Sequence, residues 1–336
     1  MVRKDELLIK EVGRPRLRKN ISFKEFFDEL RRIGGFTVEA LVKASDYLLD
    51  MIRDPNVTIF FSFTANLIAT GLRSLIADFI RGGFVDVIFT TGGSLDHDIA
   101  RAFGGKYYVG DFDLDDVMLR DLGIHRLGNI LLPMESYGPL IERTTWPLFE
   151  KALKRKEEWS IRELIWFLGE NLSDENSIIK VASESKVPIY SPGLLDSALG
   201  NALFTFNENL RLKGRRGLKL NPLKDLKELS EIVFSSDKIG GLIVGGGISK
   251  HHLIWWAQYR GGLEYAIYLT TAVEWDGSLS GARTKEAISW GKIKPNAKRV
   301  TVYGDATLTL PLLLYYLYEK CEGERIKRKN KDFGLR

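Results

Sequence analysis

Lys292 stands in the run Glu286-Ala287-Ile288-Ser289-Trp290-Gly291-Lys292-Ile293, beside a tryptophan and a glycine. Burial disfavours the ammonium form of a lysine and frees the lone pair that imine formation requires, so a sheltered Lys292 is a candidate nucleophile. Glu274-Trp275-Asp276-Gly277-Ser278 sets carboxylates around another indole. Carboxylates and ring faces both attract an ammonium, and the two segments together suit a cationic substrate. A solvated surface lysine is the competing reading of Lys292, because most lysines are solvated.

Glycine-rich turns are the second source of chemistry. Thr90-Thr91-Gly92-Gly93-Ser94 and Val244-Gly245-Gly246-Gly247-Ile248 let a backbone approach a pyrophosphate closely. Neither matches Gly-x-Gly-x-x-Gly, so a simple dinucleotide fingerprint is absent. Any one of them could be only a tight strand-to-helix turn. Several such turns, with Asp196 and Asp305 placed to reach ribose hydroxyls, favour a dinucleotide ligand.

His251 and His252 are adjacent, and His97 and His125 lie far away in sequence. Neighbours on a helix point in different directions, unlike the i, i+4 pair of a zinc site, so no metal is expected. His251 follows the triple-glycine turn and is the histidine with a candidate catalytic role.

These groups need elements to hold them. Short apolar runs at Val57 to Phe63, Val85 to Phe89, Gly241 to Val244, Tyr265 to Leu269 and Val300 to Tyr303 read as strands. Helical patterns follow at Leu67 to Ile80, Leu95 to Phe103, from Lys250, and at Thr307 to Lys320, while the segment after Ala272 reads as loop. Asn129 to Leu132 and Val187 to Tyr190 are further strand candidates, and Lys151 to Leu172 reads as a charged helix or helical hairpin. Arg211 to Pro222 reads as an exposed loop. Near-continuous apolar strands alternating with helices predict an α/β fold: a mostly parallel, Rossmann-like sheet covered by helices on both faces. Its small, polar turns then share the carboxyl edge, where such sheets bind ligands. The preferred partition is an N-terminal arm over 1–20, one catalytic domain over 21–322 and a basic tail over 323–336.

Composition narrows the class. A chain of 336 residues with a 44% hydrophobic share can build a sizeable core. The single cysteine, Cys321, excludes an internal disulfide framework and fits a reducing, cytoplasmic setting. The start, Met-Val-Arg-Lys-Asp-Glu, does not read as a signal peptide, and Leu308 to Tyr318 is too short to span a membrane. The basic runs Arg14 to Lys19, Arg211 to Lys219 and Arg325 to Lys331 lack interleaved aromatics. They read as solvated tails and loops, and no nucleic-acid partner is expected. Gln258 is the only glutamine, a scarcity that suggests a thermophilic source.

Five ordered blocks between about Asn56 and Tyr318 resemble the deoxyhypusine synthase family. They are Ser191-Pro192-Gly193-Leu194-Leu195-Asp196, Gly245 to His252, Thr271 to Ser278, Ser289-Trp290-Gly291-Lys292-Ile293 and Val302-Tyr303-Gly304-Asp305-Ala306. The resemblance implies a homotetramer with NAD-binding subunits and active sites at subunit interfaces. It implies transfer of the aminobutyl group of spermidine, by way of an imine on Lys292, to a lysine of the initiation factor 5A precursor. NAD takes a hydride in the first step and returns it in the last. By the same resemblance Ala65, Asn66, Thr90, Thr91, Gly92, Asp196, Gly246, Thr271, Ala272, Asp305 and Ala306 contact NAD. His251, Glu286 and Trp290 hold the amine and assist proton movement, with Asp96, Asn201, Gly277 and Ser278 also on the substrate side. The aromatic stretches around Trp255-Trp256 and Tyr315-Tyr316 fit a subunit interface and, nearly as well, core packing.

The departures concern the substrate side. Ser94-Leu95-Asp96-His97-Asp98 stands where the family has an adjacent acidic pair, and Asn201 and Leu279 stand at acidic positions. Trp255 occupies a position where asparagine is common. A sister transferase using agmatine, or making a small polyamine such as homospermidine, is the alternative these changes keep open. A silent NAD-binding assembly module is a third reading, opposed by the intact Lys292.

Overall fold

A computed structural model describes residues 3, 8–9, 11–324, 326 and 328–335. The strands in chain order are β1 (Val57–Ser62), β2 (Val87–Phe89), β3 (Tyr108–Val109), β4 (Ile124–Leu127), β5 (Ile130–Pro133) and β6 (Glu158–Trp159). They continue with β7 (Ile189–Tyr190), β8 (Lys219–Leu220), β9 (Lys238–Val244), β10 (Leu263–Thr270) and β11 (Ile293–Tyr303). Six of them form one sheet in the order β11-β10-β9-β1-β2-β7, and every pairing in it is parallel. The α/β expectation therefore holds.

Side-chain alternation on β1 explains the layering. Val57, Ile59 and Phe61 enter a core with the helices Phe36–Arg53, Leu72–Arg81 and Ala306–Gly323. Phe60 points the other way, into a second core with Leu229 to Val233 and Leu253 to Ala257. Both sheet faces are thus covered, which is why all six residues of β1 are buried.

The expected helix Leu67 to Ile80 is broken into Ala65–Ile68 and Leu72–Arg81. Gly71 is a poor helix former, and the Arg101 guanidinium takes the Ile68 and Thr70 carbonyls at 3.0 and 2.6 Å, diverting them from the helix ladder. The region Lys151 to Leu172 is also two helices, Gly138–Arg155 and Ile161–Glu170. A capping box between Ser160 and Glu163 restarts the second. Asn129 to Leu132 contributes to a strand of a separate antiparallel sheet, β3-β5-β4, not to the main one. The expected loop Arg211 to Pro222 contains β8, paired in parallel with β6.

One charge run departs from its solvated reading. Arg328 is ion-paired with Asp86 beneath β1 and β2, and Asp86 also accepts from Ile59 N at 2.7 Å and Lys331 N at 2.7 Å. The Asn330 amide donates to the Ile80 and Val85 carbonyls, while Phe333 and Leu335 pack on the second core. A buried carboxylate outweighs the tendency of this tail toward solvent.

Candidate active site

Chain order reverses between β1 and β9: the chain steps from β1 to β2 and β7 on one side, and from β9 to β10 and β11 on the other. Such a switch opens a cleft above the carboxyl ends of the strands. Thr64-Ala65-Asn66 and Gly245-Gly246-Gly247 face each other there. A Cβ added to Gly245, which has φ +82°, would come 3.0 Å from the Thr64 side chain. One added to Gly93 would come 3.0 Å from the Ala65 Cβ, so the Thr90 to Gly93 turn joins the same rim. The helices beginning at Ala65, Gly92 and Gly247 donate no backbone hydrogen bond to the side chain of their N-cap residue. Helix N-termini of this kind suit an anionic ligand such as a pyrophosphate.

Asp196 and Asp305 are exposed in the turns after β7 and β11, and the Asp196 turn folds back onto the rim, where a Cβ on Gly92 would come 2.5 Å from the Ser197 side chain. Asp305 caps the helix Ala306–Gly323 by accepting from Thr307 N at 2.8 Å through one oxygen. Its second oxygen takes no hydrogen bond from the described residues. Thr271 and Ala272 follow β10 on the same edge, with Ala306 one residue after Asp305.

Asp96 lies on the helix Gly92–Ala102. It is 1% exposed, and its oxygens accept from Ala198 N at 2.9 Å, Leu199 N at 2.8 Å and the Tyr137 hydroxyl at 3.1 Å. Burial raises its pKa, against the lowering pull of those donors. Asp96 thus anchors the helix Ala198–Leu212 through its first backbone N–H groups. Asp98 is equally enclosed, by Arg73, Ser177 and the N–H groups of Ile178 and Ile179. Asn201 is exposed in the first turn of the helix that Asp96 anchors.

Lys292 enters from elsewhere. It immediately precedes β11, at the amino end of the strand, where the Leu263 N–H donates to its carbonyl at 3.0 Å. Lys292 is 7% exposed, and its Nζ lies 5.0 Å from the Trp290 ring centroid and 5.7 Å from that of Trp255. Trp255 stacks on His251 at 5.6 Å and 21°. Burial, then the nearby Lys292 charge, lowers the pKa of His251. The adjacent His252 turns instead to Phe89 and Trp256, and burial pushes its pKa down to about 4. The helix Gly247–Gln258 connects the two halves of the site, with glycines at its N-terminus and Trp255 about 12 Å further along its axis.

Gly277, Ser278 and Glu286 are exposed on or just beyond the segment 271–285, which joins β10 to the short helix Glu286–Ser289. This segment folds back over the triple glycine, where the Ser280 hydroxyl accepts from Gly247 N at 3.2 Å. Any Cβ on Gly246 would overlap Ser280 at 2.1 Å. Leu279 packs its side chain against the second core, which accounts for an apolar residue at that position. Sequence reasoning missed Lys250. This lysine is 1% exposed and donates to the Leu279 and Ala282 carbonyls at 2.7 and 2.8 Å, with Nζ 4.2 Å from the Tyr268 ring centroid. Its place on the buried side of a helix that starts at a glycine turn was the available signal.

A doubly wound α/β sheet with glycine-rich turns at its strand switch, and a sheltered lysine near the helix that starts there, is an architecture that many enzymes use to bind nucleotides. The chain belongs to the deoxyhypusine synthase family, whose model matches residues 25–317. Members of this family are aminobutyl transferases and are NAD-dependent in general. A relative from Sulfurisphaera tokodaii, named probable deoxyhypusine synthase, is 51% identical over 93% of this chain and 98% of its own. Another so named, from Sulfolobus acidocaldarius, is 50% identical over 84% of this chain and 88% of its own. The fold is shared with a solved Entamoeba histolytica protein provisionally named a deoxyhypusine synthase. That match has a TM-score of 0.63 and 21% identity, covering 93% of this chain and 96% of that one.

Proposed function

We propose that this enzyme transfers the aminobutyl group of spermidine to one lysine of the initiation factor 5A precursor, with Lys292 as covalent carrier and NAD as cofactor. The observation that carries the reading is the setting of Lys292. Its amine is sheltered between two indoles beside His251, and no carboxylate among the described residues forms an ion pair with it.

The rim residues fit a dinucleotide. Gly92 and Gly246 are packed against Ser197 and Ser280, which keeps both turns tight, and the helix N-termini beside them suit a pyrophosphate. Asn66, Thr90, Thr91, Thr271, Ala272 and Ala306 would line the bound cofactor, and Asp196 and Asp305 would receive ribose hydroxyls. When bound, NAD supplies reversible hydride acceptance.

The remaining chemistry belongs to the chain. His251, whose pKa burial and then the Lys292 charge lower, is the nearby group able to take up and return a proton as Lys292 reacts. The freed amine adds to the oxidised carbon of the donor; the bond from that carbon to the departing diamine breaks, and the diamine leaves with a proton. An acceptor lysine displaces Lys292 by the same exchange. An elongated amine suits a site whose two halves are about 12 Å apart along one helix. Trp290, Glu286, Gly277, Ser278 and Asn201 are the exposed groups available to that amine.

We further propose a cytoplasmic homotetramer. No helix among the described residues is long and apolar enough to cross a membrane. Within the pairs Trp255-Trp256 and Tyr315-Tyr316, Trp255 and Tyr315 are exposed at 39% and 55%, while Trp256 packs on the second core and Tyr316 stacks on Phe27. One ring of each pair thus keeps exposed surface available to another subunit, although Trp255 also packs on His251 and Tyr259 and Tyr315 on Phe23.

The test is to incubate enzyme, NAD and spermidine with the factor 5A precursor and weigh the precursor. The expected result is a gain of one aminobutyl group. Gain from agmatine but not spermidine would replace this donor, and no gain from either would remove the transferase assignment to this acceptor.

A further inference from the structure

We propose that Trp255 closes a two-indole cage, with Trp290, around the cation carried on Lys292 Nζ, and that this cage favours the alkylated imine over the free ammonium. The inference rests on Lys292 being the covalent carrier. Both ring centroids lie within the roughly 6 Å over which a cation is attracted to an aromatic face. Lys292 is buried, yet no described carboxylate pairs with it, so the rings are its principal electrostatic partners.

Trp255 is itself held in place. His251, Trp255 and Tyr259 recur every fourth residue and form one stripe of the helix Gly247–Gln258 and its C-cap. His251 stacks on one side of the indole, and Tyr259 meets it edge-on at 6.2 Å and 86°. A ring so packed presents a fixed wall to the amine.

The choice of a ring over a carboxylate has a chemical consequence. A carboxylate accepts N–H hydrogen bonds and so favours the ammonium, which has three to give. An indole face attracts positive charge without accepting a proton, and it favours cations with methylene groups and weaker hydration. When Lys292 becomes an imine, it loses N–H donors, gains alkyl surface and remains positively charged if protonated. The cage therefore stabilises the covalent form relative to the resting one. It also leaves the resting ammonium without an acceptor other than His251 or solvent.

The experiment is reductive trapping. Enzyme, NAD and spermidine are mixed without acceptor protein, quenched with borohydride, and the fraction of Lys292 bearing an added aminobutyl group is measured by peptide mass. NADH formation is followed in parallel. Trp255→Leu and Trp255→Met should each lower the trapped fraction per NADH formed by about ten-fold, and Trp255→Phe should restore most of it. Thermal melting identifies variants that do not fold, and the methionine variant keeps bulk without a ring. Equal trapping per NADH in folded leucine or methionine variants would overturn the cage. Absence of any Lys292 adduct in the unaltered enzyme would instead overturn the covalent role on which the cage rests.

Discussion

The Lys250 ammonium donates to the Leu279 carbonyl at 2.7 Å, joining the helix behind the triple glycine to the segment that folds over it. The same amine also holds Ala282. Burial pushes the Lys250 pKa down to about 8, against a smaller raising pull from Glu286. The folded state thus releases this proton more easily than the unfolded chain, whose lysines titrate near 10.5. Between these values the unfolded state binds more protons, so this group makes stability rise with pH and withholds that gain below about pH 8. Melting temperatures of the enzyme and Lys250→Met, compared from pH 7 to 11, should show the rise only in the former. Parallel curves would remove this lysine as the source.

Asp96→Ala separates an anchoring role from an amine-binding one. Two N–H groups at the start of the helix Ala198–Leu212 would lose their acceptor, at a cost of about 1–3 kcal/mol each where water cannot replace it. Denaturant unfolding should show that loss. A variant of unchanged stability whose KM for the amine rises would return Asp96 to the substrate side.

Lys292→Arg should leave a cation between the indoles and still abolish transfer, because guanidinium does not deprotonate to an imine-forming amine. The initial oxidation needs no covalent lysine, so partial NADH formation is expected to persist. The mass of the acceptor protein checks the claim: modification near the normal rate would eliminate Lys292 as carrier.

Asp86 lies fully buried under the sheet and meets Arg328 from the tail. Arg328→Ala leaves that carboxylate short of its charge partner, and breaking a buried pair typically costs about 3–5 kcal/mol. Urea unfolding should reveal a loss of this order, although the pair is far along the chain from Lys292. A change below about 0.5 kcal/mol would show the tail to be an ornament of the fold.

Much of the architecture was legible because strand burial on both faces leaves unbroken apolar runs, and because polar turns must follow them. Val57 to Phe63 and Val300 to Tyr303 were readable for that reason, as was the family resemblance carried by Ser289 to Ile293. The break at Gly71 was not, since it depends on an arginine thirty residues away taking helix carbonyls.

The sequence by itself determined the α/β class and the family, and singled out Lys292 as the candidate nucleophile, because each resides in local pattern or contiguous motif. Only the tertiary structure decided that Lys292 approaches from the amino end of β11 while the glycine turns gather at the opposite edge. It likewise turned Asp96 inward onto a helix, drew Arg328 to a buried carboxylate and set Trp255 against Lys292. A carboxylate, guanidinium or indole carries the same chemistry in any segment. Which partner it meets depends on contacts distant in the chain, and burial then makes that partner the energetically required one.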